Sequence, residues 1–394
     1  MTHRLYYTDS FLREFDAMVV SCRPADDRFE VVLDRTAFYP TSGGQPHDTG
    51  KLGEANVIEV FDREEDHEIV HVVDAPLPAG PVSGSIDWER RFDHIQQHTG
   101  QHLLSAAFLK LFKFPTVSFH LGREICTIDL GAPSVVPRHL EEAERLASRT
   151  VFDDRPIAVS FREKEELAGL GVRKQVDREG TLRIIEIEGF DIQPCGGTHA
   201  ARTGQVGAIL VRKLERQKQY WRVEFVCGER AIAAARADFD TLGAAAREIG
   251  CGMTEVPAMV TKMIEERKTA HRERSQLAGR LAELEAAALL ARGEKTIVHA
   301  FDAGDPAFLR QVAARLAAAP DVRVVIASRA ARQFVFAQAK DLGGDMGRAL
   351  RDVLGPAGGK GGGSKEFAQG TVPEAANIDE LLTQARARLD REER

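Results

Sequence analysis

RFDHIQQHTGQHLLSAAF, residues 91–108, marks the point at which the chain changes its periodicity. Before it, residues 15–35 and 54–73 carry short β-branched runs separated by charged or Pro-containing turns, the pattern of small antiparallel strands and so of a barrel or sandwich. From Asp87 onward, Phe92, Ile95, Leu103, Leu104, Ala107, Phe108 and Leu111 recur at helical spacing, which predicts a helix ending near Phe112. A second amphipathic helix is expected near residues 141–151, then strands at 157–161, 182–190, 206–214 and 220–227. Helices laid on antiparallel strands make an α+β core.

The same stretch holds His98 and His102, four residues apart. On a helix that spacing puts two rings on one face about 6 Å apart along the axis, so both can aim at one ion. His94 extends the series, but about 12 Å of rise separates it from His102, too far for two bonds of roughly 2.1 Å to a single metal. His98 and His102 are the chosen pair because Thr99, Gly100, Leu103 and Leu104 mark where the helix meets the core, whereas His94 lies among Arg91, Asp93, Gln96 and Gln97. A second pair sits in PCGGTH, residues 194–199, where Pro194, Gly196 and Gly197 disfavour a helix. Cys195 and His199 are therefore expected on a tight turn after strand 182–190. Histidine with cysteine suits zinc, the cysteine binding as thiolate. Four protein ligands would close a tetrahedron, which is more usual in structural than in catalytic sites.

With 394 residues, 43% hydrophobic and 29% charged, the chain has the composition of a globular protein with two or three domains. Its start lacks a signal-peptide pattern, no run reaches the length of a membrane span, and five scattered cysteines argue against a disulfide framework. A cytoplasmic location without membrane contact is the expectation. Residues 230–292 favour helix almost throughout, apart from CGMTEVP at 251–257. Leu277, Leu281, Leu284, Ala288 and Ala291 form a short a/d seam, read as a helical arm packing on itself, with homodimer pairing as the alternative. TIVHAF (296–301) and VRVVIASR (322–329), with a helix between them, predict a small α/β domain, and the Gly-rich run 355–370 is read as neither helix nor strand. The expected domains are 1–86, a Gly-rich β-barrel; 87–230, a zinc-binding core; 231–292, a helical linker; and 293–394, the C-terminal α/β domain.

Taken together, residues 91–108 and FDIQPCGGTHAARTGQVGAI (190–209) resemble the editing domain of alanyl-tRNA synthetase and its free-standing relatives, the AlaX trans-editing proteins. LDRTAFYPTSGGQPHDTG (33–50) is similar to that family's N-terminal Gly-rich motif, and GGKGGGSKEFAQG (358–370) to the signature of the synthetase's C-terminal domain. Ser364-Lys365-Glu366-Phe367 stands where family members often carry an Arg-Pro pair. No stretch resembles the aminoacylation domain, so the likeness is to the long form of AlaX.

The resemblance implies zinc-dependent hydrolysis, in trans, of the ester joining serine, or glycine, to the tRNA for alanine. An apolar pocket rejects an added hydroxyl poorly, whereas a site that hydrogen-bonds it discriminates strongly. Thr36, similar in position to a threonine the family uses for serine, and Gln45, after Ser42-Gly43-Gly44, are the catalytic-site candidates. A net charge of −7 gives no general attraction to RNA, so contact requires a local patch. Arg212, Lys213, Arg216, Lys218 and Arg222, with Tyr220 and Trp221 among them, supply one, and Lys360 and Lys365 in the Gly-rich tail offer a phosphate cradle. The competing expectation is a tRNA-binding protein with a structural zinc and no hydrolytic activity.

Overall fold

The protein, seen as a computed structural model, is described over residues 1–167, 172 and 180–391. It divides into two compact units, Met1–Ala244 and Ala245–Arg394. Among the described residues no helix is long and apolar enough to cross a membrane.

The N-terminal strands close into a barrel rather than a sandwich, running Glu14–Ala25, Arg28–Leu33, Ile69–Val73, Ala55–Asp62, Gly50–Leu52 and Gly80–Ile86 around the wall. Alternation explains the closure: Phe15, Ala17 and Val19 point inward while their neighbours in sequence stay exposed. Phe15 needs a bare backbone opposite it, since a Cβ at Gly84 would lie 2.4 Å from its ring.

Helix α1 (Trp88–Phe112) follows at once. The Asp87 side chain caps it by accepting from Arg90 N–H, and Lys113 ends it in the left-handed region. Its apolar positions, Ile95, Leu103, Leu104 and Phe108, pack with Ile128, Val223 and Phe225 of a four-stranded sheet. That sheet is ordered Ile209–Arg216, Trp221–Cys227, Cys126–Leu130, Thr116–Leu121. Contact between helix and sheet is tightest at Gly100, where a Cβ would meet the Cys227 sulfur at 2.2 Å. Helix α2 (Pro137–Phe152) packs beside α1, and a second, three-stranded sheet joins Ile157–Glu163, Thr181–Ile187 and Asp191–Pro194. The turn bearing Cys195 thus follows a second, short strand rather than the 182–190 run itself.

One fully buried ion pair fastens α1 to the barrel. Arg91 Nε lies 3.0 Å from both carboxylate oxygens of Asp48, Nη2 also donates to Asp48 and to the Ala37 carbonyl, and Nη1 donates to the Ser10 carbonyl at 3.0 Å. Asp48 in turn accepts from Tyr39 N–H at 2.6 Å. Gln96 and Gln97 beside His94 are likewise buried and Asp93 is half-buried, so polarity of sequence near His94 does not mark an outward face.

Helix α3 (Gly228–Ile249) contains the boundary between Ala244 and Ala245, and α4 (Val256–Leu290) lies within the second unit. The leucine seam does not pack the arm on itself: Leu277, Leu281 and Leu284 are all exposed, and α4 instead buries Ala282, Ala286 and Leu289. Small residues on the inner face let α5 (Pro306–Leu316) approach closely, so Leu309, Val312 and Ala313 complete the core. The sheet beneath is five-stranded, ordered Thr296–Phe301, Arg323–Ser328, Gln333–Gln338, Phe367–Thr371, Lys360–Gly363. Helices α6 (Met346–Leu354) and α7 (Ile378–Asp390) share a second hydrophobic cluster with its Val325, Phe334 and Phe336. The Gly-rich run is a correction, because it forms an antiparallel hairpin. Glycine is required there: a Cβ at Gly363 would sit 2.1 Å from the Phe367 carbonyl oxygen, and one at Gly361 2.5 Å from that of Gln369.

Removing one partner of a buried pair strands the other charge, so Arg91→Met is expected to lower unfolding free energy by about 3–5 kcal/mol. Urea denaturation of the two proteins measures it, and a loss below about 1 kcal/mol, the size of an exposed pair, would contradict the role assigned.

Candidate metal centre

The four residues singled out by spacing converge. The side-chain donor atoms of His98, His102, Cys195 and His199 all lie within 4.8 Å of one another. Cys195 Sγ is 3.5 Å from His98 Nε2 and 3.3 Å from His199 Nε2. Zinc bonds of 2.0–2.3 Å make tetrahedral edges of about 3.3–3.8 Å, so these separations suit one ion. The three histidines are buried and Cys195 is half-buried. Helix α1 supplies the first pair on successive turns of one face, and the turn after Asp191–Pro194 supplies the second. The turn comes so close that a Cβ at Gly197 would stand 2.1 Å from the His98 ring.

Each ring is held from behind. His98 Nδ1 lies 2.7 Å from Gln45 Oε1, which also accepts from Thr198 N–H at 3.1 Å while Gln45 Nε2 donates to Thr198 Oγ1 at 2.9 Å. That fixes the amide with oxygen toward His98, so Nδ1 carries the proton and Nε2 is left for a metal. His102 Nδ1 is 3.3 Å from the Asp191 carboxylate, and His199 Nδ1 is 3.4 Å from Thr99 Oγ1. A carboxylate or carbonyl behind a histidine is the usual support of a metal ligand. Asp191 and Thr99 were not singled out by sequence. Asp191 is four residues before Cys195 and Thr99 directly follows His98, the one positional signal available.

Burial would push the Cys195 thiol up, but the His98 and His199 rings, with hydrogen bonds from His102 and His199, outweigh it and hold the thiol well below its ordinary value. Burial pushes His199 down to about 3, against the pull of the Cys195 thiolate. Zinc requires the thiolate together with neutral imidazoles, so a bound ion would replace the histidine charge that holds the thiolate in the metal-free protein.

Gln45 is completely buried behind His98. Thr36 is also completely buried, in the barrel: its hydroxyl is 2.8 Å from His71 Nε2 and accepts from Phe38 N–H at 3.1 Å. His71 Nδ1 faces the Val31 carbonyl at 3.1 Å, so its Nε2 is the acceptor and Thr36 donates to it. In the basic patch, Arg212 pairs with Asp238, Lys213 with Glu215 and Glu224, and Arg222 with Asp129. Arg216 lies over the Trp221 ring, and neither it nor Lys218 has an ion pair among the described residues. Lys360 and Lys365 are exposed, but the hairpin and its caps engage backbone N–H groups of the glycine run, including those of Gly359 and Ser364.

Residues 182–224 match the threonyl and alanyl tRNA synthetase second additional domain, and residues 293–391 match the DHHA1 domain. The chain is 33% identical over 392 residues to the alanyl-tRNA editing protein AlaX-L of Pyrococcus horikoshii, covering 94% of this chain and 95% of that protein. It is 32% identical over 275 residues to the alanyl-tRNA editing protein Aarsd1 of Mus musculus, covering 65% and 66%. Against the alanine–tRNA ligase of Pyrococcus abyssi the identity is 32% over 402 residues, covering 97% of this chain but 43% of the ligase. The chain belongs to the AlaX family of alanyl-tRNA editing proteins.

Acid should act on the metal-free protein with a defined sign. His71 is held at about 4 and His94 and His199 at about 3, each chiefly by burial, against about 6.5 in the unfolded chain. Between those values the unfolded chain binds more protons, so stability present at pH 7 declines as pH falls from about 6.5 toward 4, by up to about 1.4 kcal/mol per pH unit for each histidine. Urea melts of chelator-treated protein across that window test it, and a flat or rising stability on acidification is the contrary result.

Proposed function

We propose that the protein is a trans-editing deacylase that hydrolyses the ester of tRNA for alanine mischarged with serine, or with glycine, using zinc held by His98, His102, Cys195 and His199. The observation that carries this reading is the convergence of the four donor atoms, with Gln45, Asp191 and Thr99 each set behind one ring. Membership of the AlaX family supplies the substrate class. Zinc in such a place supplies a Lewis acid, which lowers the pKa of a bound water or holds the aminoacyl group.

The chain's own residues do the rest. Gln45 keeps the His98 proton on Nδ1, and Asp191 does the same for His102. Cys195, half-buried where the three histidines are buried, is the member of the cluster nearest to solvent and marks the side from which an ester approaches. Thr36, whose hydrogen is given to His71, keeps an oxygen lone pair as acceptor, which suits a serine hydroxyl and has no counterpart for alanine. Arg216 and Lys218, not neutralised by neighbouring carboxylates, are the members of the patch best placed to meet phosphate, with Lys360 and Lys365 contributing from the tail.

The competing reading, a tRNA-binding protein with a structural zinc, draws on the fact that four protein donors already complete a tetrahedron. Deacylation of seryl-, glycyl- and alanyl-tRNA by catalytic amounts of protein, with zinc measured on the same sample, separates the two. Release of serine with alanine spared is expected; a zinc-loaded, tRNA-binding protein that releases nothing would leave the structural reading standing.

Cys195→Ala is expected to lose both zinc and hydrolysis, and full activity in a zinc-free Cys195→Ala protein would sink the proposal. Thr36→Val should narrow the rate difference between seryl and alanyl esters by about ten- to a hundredfold, the worth of one buried hydroxyl contact. Selectivity equal to wild type would remove Thr36 from the pocket.

A further inference from the structure

Arg183, on the strand Thr181–Ile187, is only 7% exposed and forms no ion pair among the described residues. Two of its three nitrogens donate to neutral carbonyls, Nε to Tyr7 at 2.8 Å and Nη1 to Cys195 at 2.7 Å and Gly197 at 2.8 Å, while Nη2 is buried without a hydrogen-bond partner among the described residues. Its own carbonyl accepts from Cys195 N–H at 3.0 Å. One residue therefore holds both the N–H and the carbonyl of Cys195, while its guanidinium also lies over the Tyr7 ring. Burying an arginine without an acidic partner is costly, and a fold that does so gains something specific from the geometry.

What it gains is visible in the turn. The segment after Pro194 has two glycines in succession and would otherwise be the loosest part of the cluster's frame. Yet its tolerance is small, because Gly197 already passes against the His98 ring and Gly196 against the Tyr7 ring, with a Cβ there 3.6 Å from Tyr7 Oη. Only a planar fork with several fixed donors can bridge carbonyls on both sides of Gly196 and reach a third on another segment; a lysine ammonium is a point donor on a flexible stem.

We propose that Arg183 is the positioning residue of the centre, a clamp that fixes the Cys195–Gly197 turn so that Sγ and the three histidine donors stand within reach of one ion. The proposal rests on reading the cluster as a zinc site, and it adds a residue that touches no metal and was not among the candidates read from sequence. Tyr7 being the third anchor, the clamp also ties the N-terminal segment before the barrel to the ligand turn.

The test compares full-length wild type with Arg183→Lys and Arg183→Gln, after near-UV circular dichroism has confirmed that each variant folds. Zinc affinity is measured by competition with a chelator, and cobalt-substituted protein reports the thiolate-to-metal absorption band. Loss of a support behind a metal ligand is expected to weaken zinc by about 10- to 100-fold, with lysine no better than glutamine because the fork and not the charge is at work. A second readout needs no metal: alkylation of Cys195 by iodoacetamide in chelator-treated protein, followed peptide by peptide, should rise about tenfold or more as the turn is freed, with Cys22 and Cys251 unchanged. Wild-type zinc affinity and wild-type alkylation in a folded variant would overturn the clamp, as would full rescue by lysine. Absence of zinc binding by wild type would instead overturn the zinc reading, and the alkylation rates would still decide whether Arg183 holds the turn.

Discussion

A guanidinium and a carboxylate, both wholly removed from water, fasten the barrel to the helix-on-sheet core. Arg91 projects from the first turn of α1 into the barrel and meets Asp48 together with the carbonyls of Ser10 and Ala37. The arrangement satisfies most of the donors of the arginine, which is the condition under which a buried pair is tolerable. Geometry follows from it. Gln45 is three residues before Asp48, and Arg91 two turns before His98, so locking one pair sets the Gln45 amide behind the His98 ring.

The cluster is thus composite, and no single element could build it. α1 provides two rings, the Asp191–Pro194 strand delivers the turn with the other two ligands, and the barrel contributes the amide that orients His98. Ser10, from the segment before the barrel, also receives His199 N–H at 3.2 Å. Because interlocking supports of this kind hold ligands in place before any ion arrives, little reorganisation is left for binding. The same construction makes the centre sensitive to changes in the barrel that touch no ligand.

Much of this was legible in the sequence, for a physical reason. Helical spacing is enforced by burial, so Phe92 through Leu111 announced α1, and metal ligands must share a face, so His98 and His102 announced themselves together. The barrel strands were legible through short β-branched runs between charged or Pro-containing turns. What escaped was set by tertiary context. The glycines at 359–363 read as loop because glycine is poor in strands, but here the lack of a side chain is what allows the paired backbones to approach. The leucine seam on α4 read as the buried face because leucine dominates hydrophobic patterns, whereas alanines can lie closer to α5 and took that role. The patch near residues 212–222 was counted by charge alone, and acidic partners distant in sequence, Asp129 and Asp238, could not be foreseen. Arg183 left no signal at all, since its partners are backbone carbonyls.

Direct coordination of a single zinc ion by His98, His102, Cys195 and His199 is the proposal most open to test. X-ray absorption at the zinc edge on the wild-type protein tests it without reference to activity. One sulfur at about 2.3 Å and three nitrogens at about 2.0–2.1 Å are expected. A zinc shell without sulfur, or protein that takes up no zinc after reconstitution, would contradict it.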